Sequence, residues 1–153
     1  MTVHGMYHEQ TIEIDAAPEA VYDLVSDLGR MGEWSPENRG GEWLDGGRGR
    51  TGDRFEGHNK IGDREWSVVC QVVSAERPTE FEFVTGEPDA PFVRWSYRLS
   101  GSGPTTLTEV WNVEQLPPSL ATRTPEQLAE RAEAVRASMA QTLAGIKASA
   151  EGA

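Results

Sequence analysis

One cysteine in 153 residues, Cys70, has no partner for an internal disulfide, and histidines only at positions 4, 8 and 58 offer none of the Cys/His spacings of a zinc site. A metal would have to be held by residues that converge in space, so no metal and no cofactor are expected. Long apolar runs are also missing. Nothing approaches the roughly 18 residues of a membrane span, and the opening MTVHGMYHEQ lacks the basic then apolar layout of a signal peptide, which places the protein in the cytoplasm. Basic residues are few: 14 Lys and Arg stand against 25 Asp and Glu, a formal net charge of −11. Such a surface repels nucleic acid and anionic lipid, so neither is expected as a partner.

What is present suffices for a single domain over residues 1–153: 37% hydrophobic residues, with five Trp, four Phe and three Tyr. Tyr7 to Ile14 alternates as a strand with His8, Gln10, Ile12 and Ile14 on one side. Pro18 then opens a short helix whose Val21, Leu24, Val25 and Leu28 share a face and which Gly29 closes; Arg30 to Pro36 forms a second short helix or a turn. Residues 39–52 carry six glycines and read as a long, mobile connection, a lid or entrance flap, around a short strand at Glu42-Trp43-Leu44.

From residue 53 the pattern is strand after strand, in consecutive antiparallel hairpins. Phe55, Gly57 and Asn59 face one way, as do Trp66, Val68, Cys70 and Val72, then Phe81 and Phe83, then Val93, Trp95, Tyr97 and Leu99. After Pro117-Pro118, Thr124-Pro125-Glu126-Gln127 supplies a cap, a first-turn proline and a capping-box partner for a long helix. Its apolar stripe is Leu128, Ala132, Val135, Met139, Leu143 and Ile146.

The most informative stretch is Leu107-Thr108-Glu109-Val110-Trp111-Asn112-Val113. Strand alternation sends Leu107, Trp111 and Val113 to the interior, and Glu109 with them. A carboxylate on an apolar wall needs a partner, water or a ligand, so a lined cavity is expected rather than a solid core. Two readings stay open for Glu109: a base whose pKa has risen towards neutrality, or a hydrogen-bond acceptor that orders the wall through an indole, Asn59 or an arginine. A single bulge would turn it outward. Asn59 is either an amide donor to a ligand oxygen or part of a turn; Tyr97 either donates its phenol proton to a ligand or reaches a backbone carbonyl. Trp34, Trp66, Trp95 and Trp111 offer flat walls for a planar ring system, completed by Phe55, Cys70, Phe83 and Met139. Cys70 has no neighbouring base and reads as wall rather than nucleophile. His58 should face solvent.

The order of elements, with Ile12-Glu13-Ile14-Asp15-Ala16-Ala17-Pro18-Glu19-Ala20-Val21-Tyr22, Trp34-Ser35-Pro36, Phe55-Glu56-Gly57-His58-Asn59 and Thr108-Glu109-Val110-Trp111, resembles the START-like (SRPBCC) superfamily and its polyketide cyclase/dehydratase branch. The resemblance implies an α+β helix-grip fold: a curved antiparallel sheet of six to seven strands wrapped around a long C-terminal helix, with one or two short helices after the first strand. It also implies a cavity for an apolar or aromatic small molecule. As an enzyme the protein would fold a poly-carbonyl chain for cyclisation or dehydration, with Glu109 moving a proton and Asn59 or Tyr97 steadying an enolate oxygen. Alternatively it is a non-catalytic carrier of an apolar ligand, or a module for a basic protein partner. Monomer and homodimer both remain open.

Overall fold

The computed structural model describes residues 2–152. Among these the order is β1 (Tyr7–Ile14), α1 (Pro18–Val25), a 3₁₀ turn (Leu28–Glu33), β2 (Asn38–Trp43), β3 (Arg54–Ile61), β4 (Arg64–Glu76), β5 (Glu80–Glu87), β6 (Ala90–Gly101), β7 (Thr105–Val113) and α2 (Pro125–Gly152). The seven strands form one antiparallel sheet in the order β1-β7-β6-β5-β4-β3-β2. Every connection from β2 to β7 is a hairpin; β1 pairs with β7 at one edge, and the segment through α1 and the 3₁₀ turn carries the chain from there to β2 at the opposite edge. The helix-grip arrangement implied by the sequence is present.

Three register shifts bend the sheet, at Asn38/Gly41, Val72/Ser74 and Val84/Gly86. Each adds a residue to one strand and raises the local twist, which curls the sheet around α2. None falls on β7, whose pairs with β6 run unbroken from Thr105 to Val113, so the alternation that turns Glu109 inward holds along the whole strand.

Two boundaries differ from the sequence reading. The first helix ends at Val25 rather than at Gly29; Asp27 caps the following 3₁₀ turn through Gly29 N (3.1 Å), and Leu28 enters the core from that turn. The strand placed at residues 42–44 begins four residues earlier, at Asn38. Its glycines hid it, yet they are what lets it pair. Gly40 has φ +103°, and a Cβ on Gly41 would lie 2.5 Å from the carbonyl oxygen of Glu56 on β3.

The stripe on α2 is buried at Leu128, Ala132, Val135, Met139, Leu143 and Ile146, as its spacing predicts. Its N-terminus carries the expected reciprocal cap: Gln127 N–H donates to Thr124 Oγ1 (3.2 Å) and Thr124 N–H to Gln127 Oε1 (2.9 Å). No helix among the described residues is long and apolar enough to cross a membrane.

Candidate functional site

Cross-strand register assembles the inward wall in rungs. Trp111 stands opposite Trp95, and Trp95 opposite Phe83; one step along, Glu109 stands opposite Tyr97, and Tyr97 opposite Phe81. Directly opposed side chains on one face are the closest neighbours in a sheet. The Trp95 and Trp111 rings lie 6.5 Å apart, and Phe55 meets Phe83 edge-on at 5.1 Å.

Between this wall and α2 lies a cavity of about 530 Å³, within the range of small-molecule sites. Its inner end is lined by buried residues, among them Phe55, Cys70, Tyr97, Glu109, Met139 and Thr142. Its mouth is framed by exposed residues from three places: Ile61 and Arg64 at the β3–β4 hairpin, Ser119 and Arg123 between β7 and α2, and Gln127 and Glu130 on the first turns of α2.

Glu109 is 3% exposed. Tyr97 Oη donates to its Oε2 at 2.9 Å, while Oε1 is buried with no partner among the described residues. Burial outweighs the favourable phenol hydrogen bond and lifts the Glu109 carboxyl from 4.5 to about 8. The Tyr97 phenol is pushed well above its ordinary value, first by burial and then by the neighbouring carboxylate. At neutral pH the inner end therefore presents two acids that keep their protons, one with an unengaged oxygen. The partner is a tyrosine, rather than the indole, Asn59 or arginine of the sequence reading.

Of the residues picked from sequence, Asn59, Tyr97, Glu109, Phe55, Trp66, Cys70, Phe83, Trp95, Trp111 and Met139 all line this cavity. Asn59 sits on β3 opposite Trp66, and the turn lies beyond it at Gly62-Asp63. Cys70 is wall: burial pushes its thiol up to about 12, where no thiolate forms at neutral pH.

Trp34 is the exception. It packs under α2 against Gly145, its indole N–H is buried with no partner among the described residues, and it does not line the cavity. Nor is the glycine-rich segment 39–52 the expected lid or entrance flap: residues 39–43 belong to β2, and none of the segment lines the cavity. Asp53 accepts from Arg48 N (2.8 Å) and Arg50 N (2.9 Å), and Gly52 N–H donates to Val72 O (2.8 Å), which pins the loop beside β4, away from the cavity lining.

Sequence reasoning passed over Thr142 and the charged rim. Thr142 lies seven residues after Val135 and fourteen after Leu128, the same face of the helix, so its spacing was the available signal. Arg131 on α2 forms a forked ion pair with Glu37, with Nη1–Oε2 at 3.0 Å, and both line the cavity. Nothing in local sequence links residues 94 positions apart.

His8 lies 3.3 Å from Gln10 and outside the cavity lining. His58 is on the outer face, with Nδ1 at Ser67 (2.8 Å) and Nε2 at Glu42 (2.7 Å). His58, Glu42 and Glu56 bring three potential ligand atoms within 4.8 Å of one another, a convergence that sequence spacing did not reveal. The two ring nitrogens of His58 are already engaged by protein groups.

A curled antiparallel sheet closed on a long helix, with a lined cavity between them, defines a START-like helix-grip protein. Residues 8–151 match the family described as polyketide cyclase / dehydrase and lipid transport, and the chain belongs to it. Among solved structures it is similar to a Polyketide_cyc-like protein from Corynebacterium glutamicum (28% identity, 93% of this chain and 89% of that one, TM-score 0.66). It also superposes on a START superfamily protein from Mycobacterium smegmatis (19% identity, 92% and 96%, TM-score 0.66). The same fold occurs in the di-domain ARO/CYC StfQ of the steffimycin biosynthetic pathway (13% identity, 96% of this chain but 51% of that one, TM-score 0.74). No curated protein matches the chain by sequence.

Proposed function

We propose that this protein binds one apolar, ring-bearing small molecule in the cavity and moves a proton on it through Glu109. The observation that carries the reading is the unpartnered Oε1 of a buried, proton-retaining carboxyl at the inner end of an aromatic-walled cavity. A polar atom so placed lacks a hydrogen bond that a ligand oxygen supplies.

The chemistry that fits is aldol-type cyclisation followed by loss of water. With its pKa near 8, a minor share of Glu109 is carboxylate at pH 7, within the range useful for a general base. The carboxylate takes a proton from a carbon flanked by carbonyls. The resulting enolate carbon bonds to a second carbonyl carbon, whose oxygen recovers the proton from Glu109. Removal of a neighbouring carbon-bound proton and departure of that hydroxyl as water then leave a double bond in the ring, with no oxidant or reductant consumed. Tyr97 already donates to Glu109, so its part is to hold the carboxyl in place, and the enolate oxygen falls to the Asn59 amide. Shape contributes most, because holding two carbons in reach is worth roughly 7–11 kcal/mol.

Gly57 provides a test of occupancy. It faces the cavity on β3, and a Cβ there would meet only Phe55 Cε2 at 3.8 Å and Val68 O at 3.9 Å. A larger side chain must therefore extend into the cavity. Wild-type protein purified from its own host is expected to hold a small-molecule mass in native mass spectrometry that denaturation releases, and to bind 9-anthracenemethanol. Gly57→Leu is expected to fold and to do neither. A wild type that is empty and also fails to bind the probe would refute the reading. Once the bound molecule is known, Glu109→Gln should retain it and lose turnover; undiminished turnover would overturn the proton-transfer role and leave carriage.

A further inference from the structure

The ligand-binding reading leaves open which molecules enter, and the mouth of the cavity bears on that. The chain has 14 basic residues against 25 acidic ones, yet three arginines, Arg64, Arg123 and Arg131, line this one cavity. Their surroundings differ. Arg131 is matched by Glu37 in the forked pair described above, which ties α2 to the segment entering β2. Arg64, the first residue of β4, lies over the Trp66 ring with its guanidinium carbon 4.8 Å from the ring centroid. Attraction to the ring face holds the guanidinium near the wall, and with no ion-pair partner among the described residues its N–H groups are available to an oxyanion. Arg123 makes no ion pair among the described residues. The remaining carboxylate on the rim is Glu130. Against a molecule of net charge −11, the mouth carries a local excess of positive charge.

The opposite end has the opposite preference. Glu109 and Tyr97 are buried acids, and a ligand carboxylate placed beside them would be desolvated next to a group that itself ionises. A neutral carbonyl or hydroxyl suits that end. We propose that the ligand is an aromatic or apolar-bodied carboxylic acid that enters body first, sets a neutral oxygen against Glu109 and leaves its carboxylate at the mouth with Arg64 and Arg123. This proposal rests on the ligand-binding reading of the same cavity.

Two probes with one ring system separate the two ideas: 9-anthracenecarboxylate and 9-anthracenemethanol, which differ in charge at a single substituent. The carboxylate is expected to bind the wild type about tenfold tighter at low salt, with the difference shrinking as ionic strength rises. The double substitution Arg64→Gln, Arg123→Gln should weaken the carboxylate about tenfold and leave the alcohol within about twofold, while Gly57→Leu abolishes both. Arg123→Gln alone, which leaves the Arg64–Trp66 contact intact, should show part of the same selective loss. Equal affinity for the two probes in the wild type, or equal weakening of both in the arginine variants, would overturn the charge preference while leaving the ligand site standing. Failure of both probes on the wild type would remove the site and this proposal together.

Discussion

Glu109→Gln is expected to be more stable than the wild type above pH 8 and nearly equal to it below pH 4.5. The amide keeps the shape of the carboxyl and still accepts the Tyr97 hydroxyl, so the two proteins match when Glu109 is protonated. They part because the buried carboxyl titrates near 8 in the folded chain and near 4.5 when exposed. Between those values the folded state retains a proton that the unfolded state has released. Rising pH therefore favours unfolding; the stability present below pH 4.5 is lost progressively until pH passes 8. The span corresponds to on the order of 4–5 kcal/mol, large against a typical stability of about 5–15 kcal/mol. Asp23, Glu33, Asp53 and Glu151 have lowered pKa values through arginine, lysine or backbone N–H partners, so they act in the other direction and at lower pH. They are present in both proteins and cancel in the difference. Urea denaturation of the pair at pH 4.5, 7 and 9 measures it, and a constant gap across the three would contradict a proton-retaining Glu109.

The same retained proton connects stability to function. A carboxyl that weakens the fold above neutral pH is costly to maintain, and a neutral side chain of similar volume would avoid that cost. The proposed function would account for its presence: a buried acid with an unengaged oxygen can offer a proton to a bound oxygen below pH 8 and accept one from carbon as it ionises. The Tyr97 hydrogen bond restrains the carboxyl without filling its second oxygen. Glu109→Gln should thus strengthen the fold at alkaline pH while removing proton transfer, a combination that simple loss of structure does not produce.

That Glu109 could be found from sequence follows from the geometry of β7. A strand with no bulge preserves its period of two, and one charged residue among large apolar ones marks itself. Asn59, Tyr97, Phe83 and the inward tryptophans of β4, β6 and β7 were legible for the same reason. Where the period broke, so did the reading. The glycines of β2 looked like loop because their use is close contact with Glu56, which only the neighbouring strand reveals. Trp34 looked like cavity wall because cavity and core make the same demand on composition. The rim stayed hidden because Glu37, Arg64, Arg123 and Arg131 come from four separate segments and meet only in three dimensions. Local pattern identifies faces; it does not identify which distant faces close on each other.

Gly145→Ala should reverse the usual effect of removing a glycine from a helix. In an exposed helix interior alanine is favoured over glycine by roughly 1 kcal/mol. Here a Cβ would lie 2.2 Å from Trp34 Cβ and 3.0 Å from Trp34 Cα. The nearest atoms belong to the root of the side chain and the backbone, so no rotamer change relieves the contact. Either α2 moves off the 3₁₀ turn or the turn moves off α2, and overpacking of this kind costs about 1–3 kcal/mol or more, enough to cancel the propensity gain and change its sign. The displacement would be felt in the cavity, because Thr142 and Met139 lie on the same helix and Met31 and Ser35 flank Trp34 on the other side. Reduced denaturation midpoint and weakened 9-anthracenemethanol binding are therefore expected together. Trp34→Gly removes the atom in conflict, so combining it with Gly145→Ala should cost less than the two single changes added, with a coupling of about 1 kcal/mol or more in a double-mutant cycle. An additive pair, or a Gly145→Ala protein more stable than the wild type, would show that α2 and the Trp34 turn are not in the close contact on which the inner end of the cavity depends.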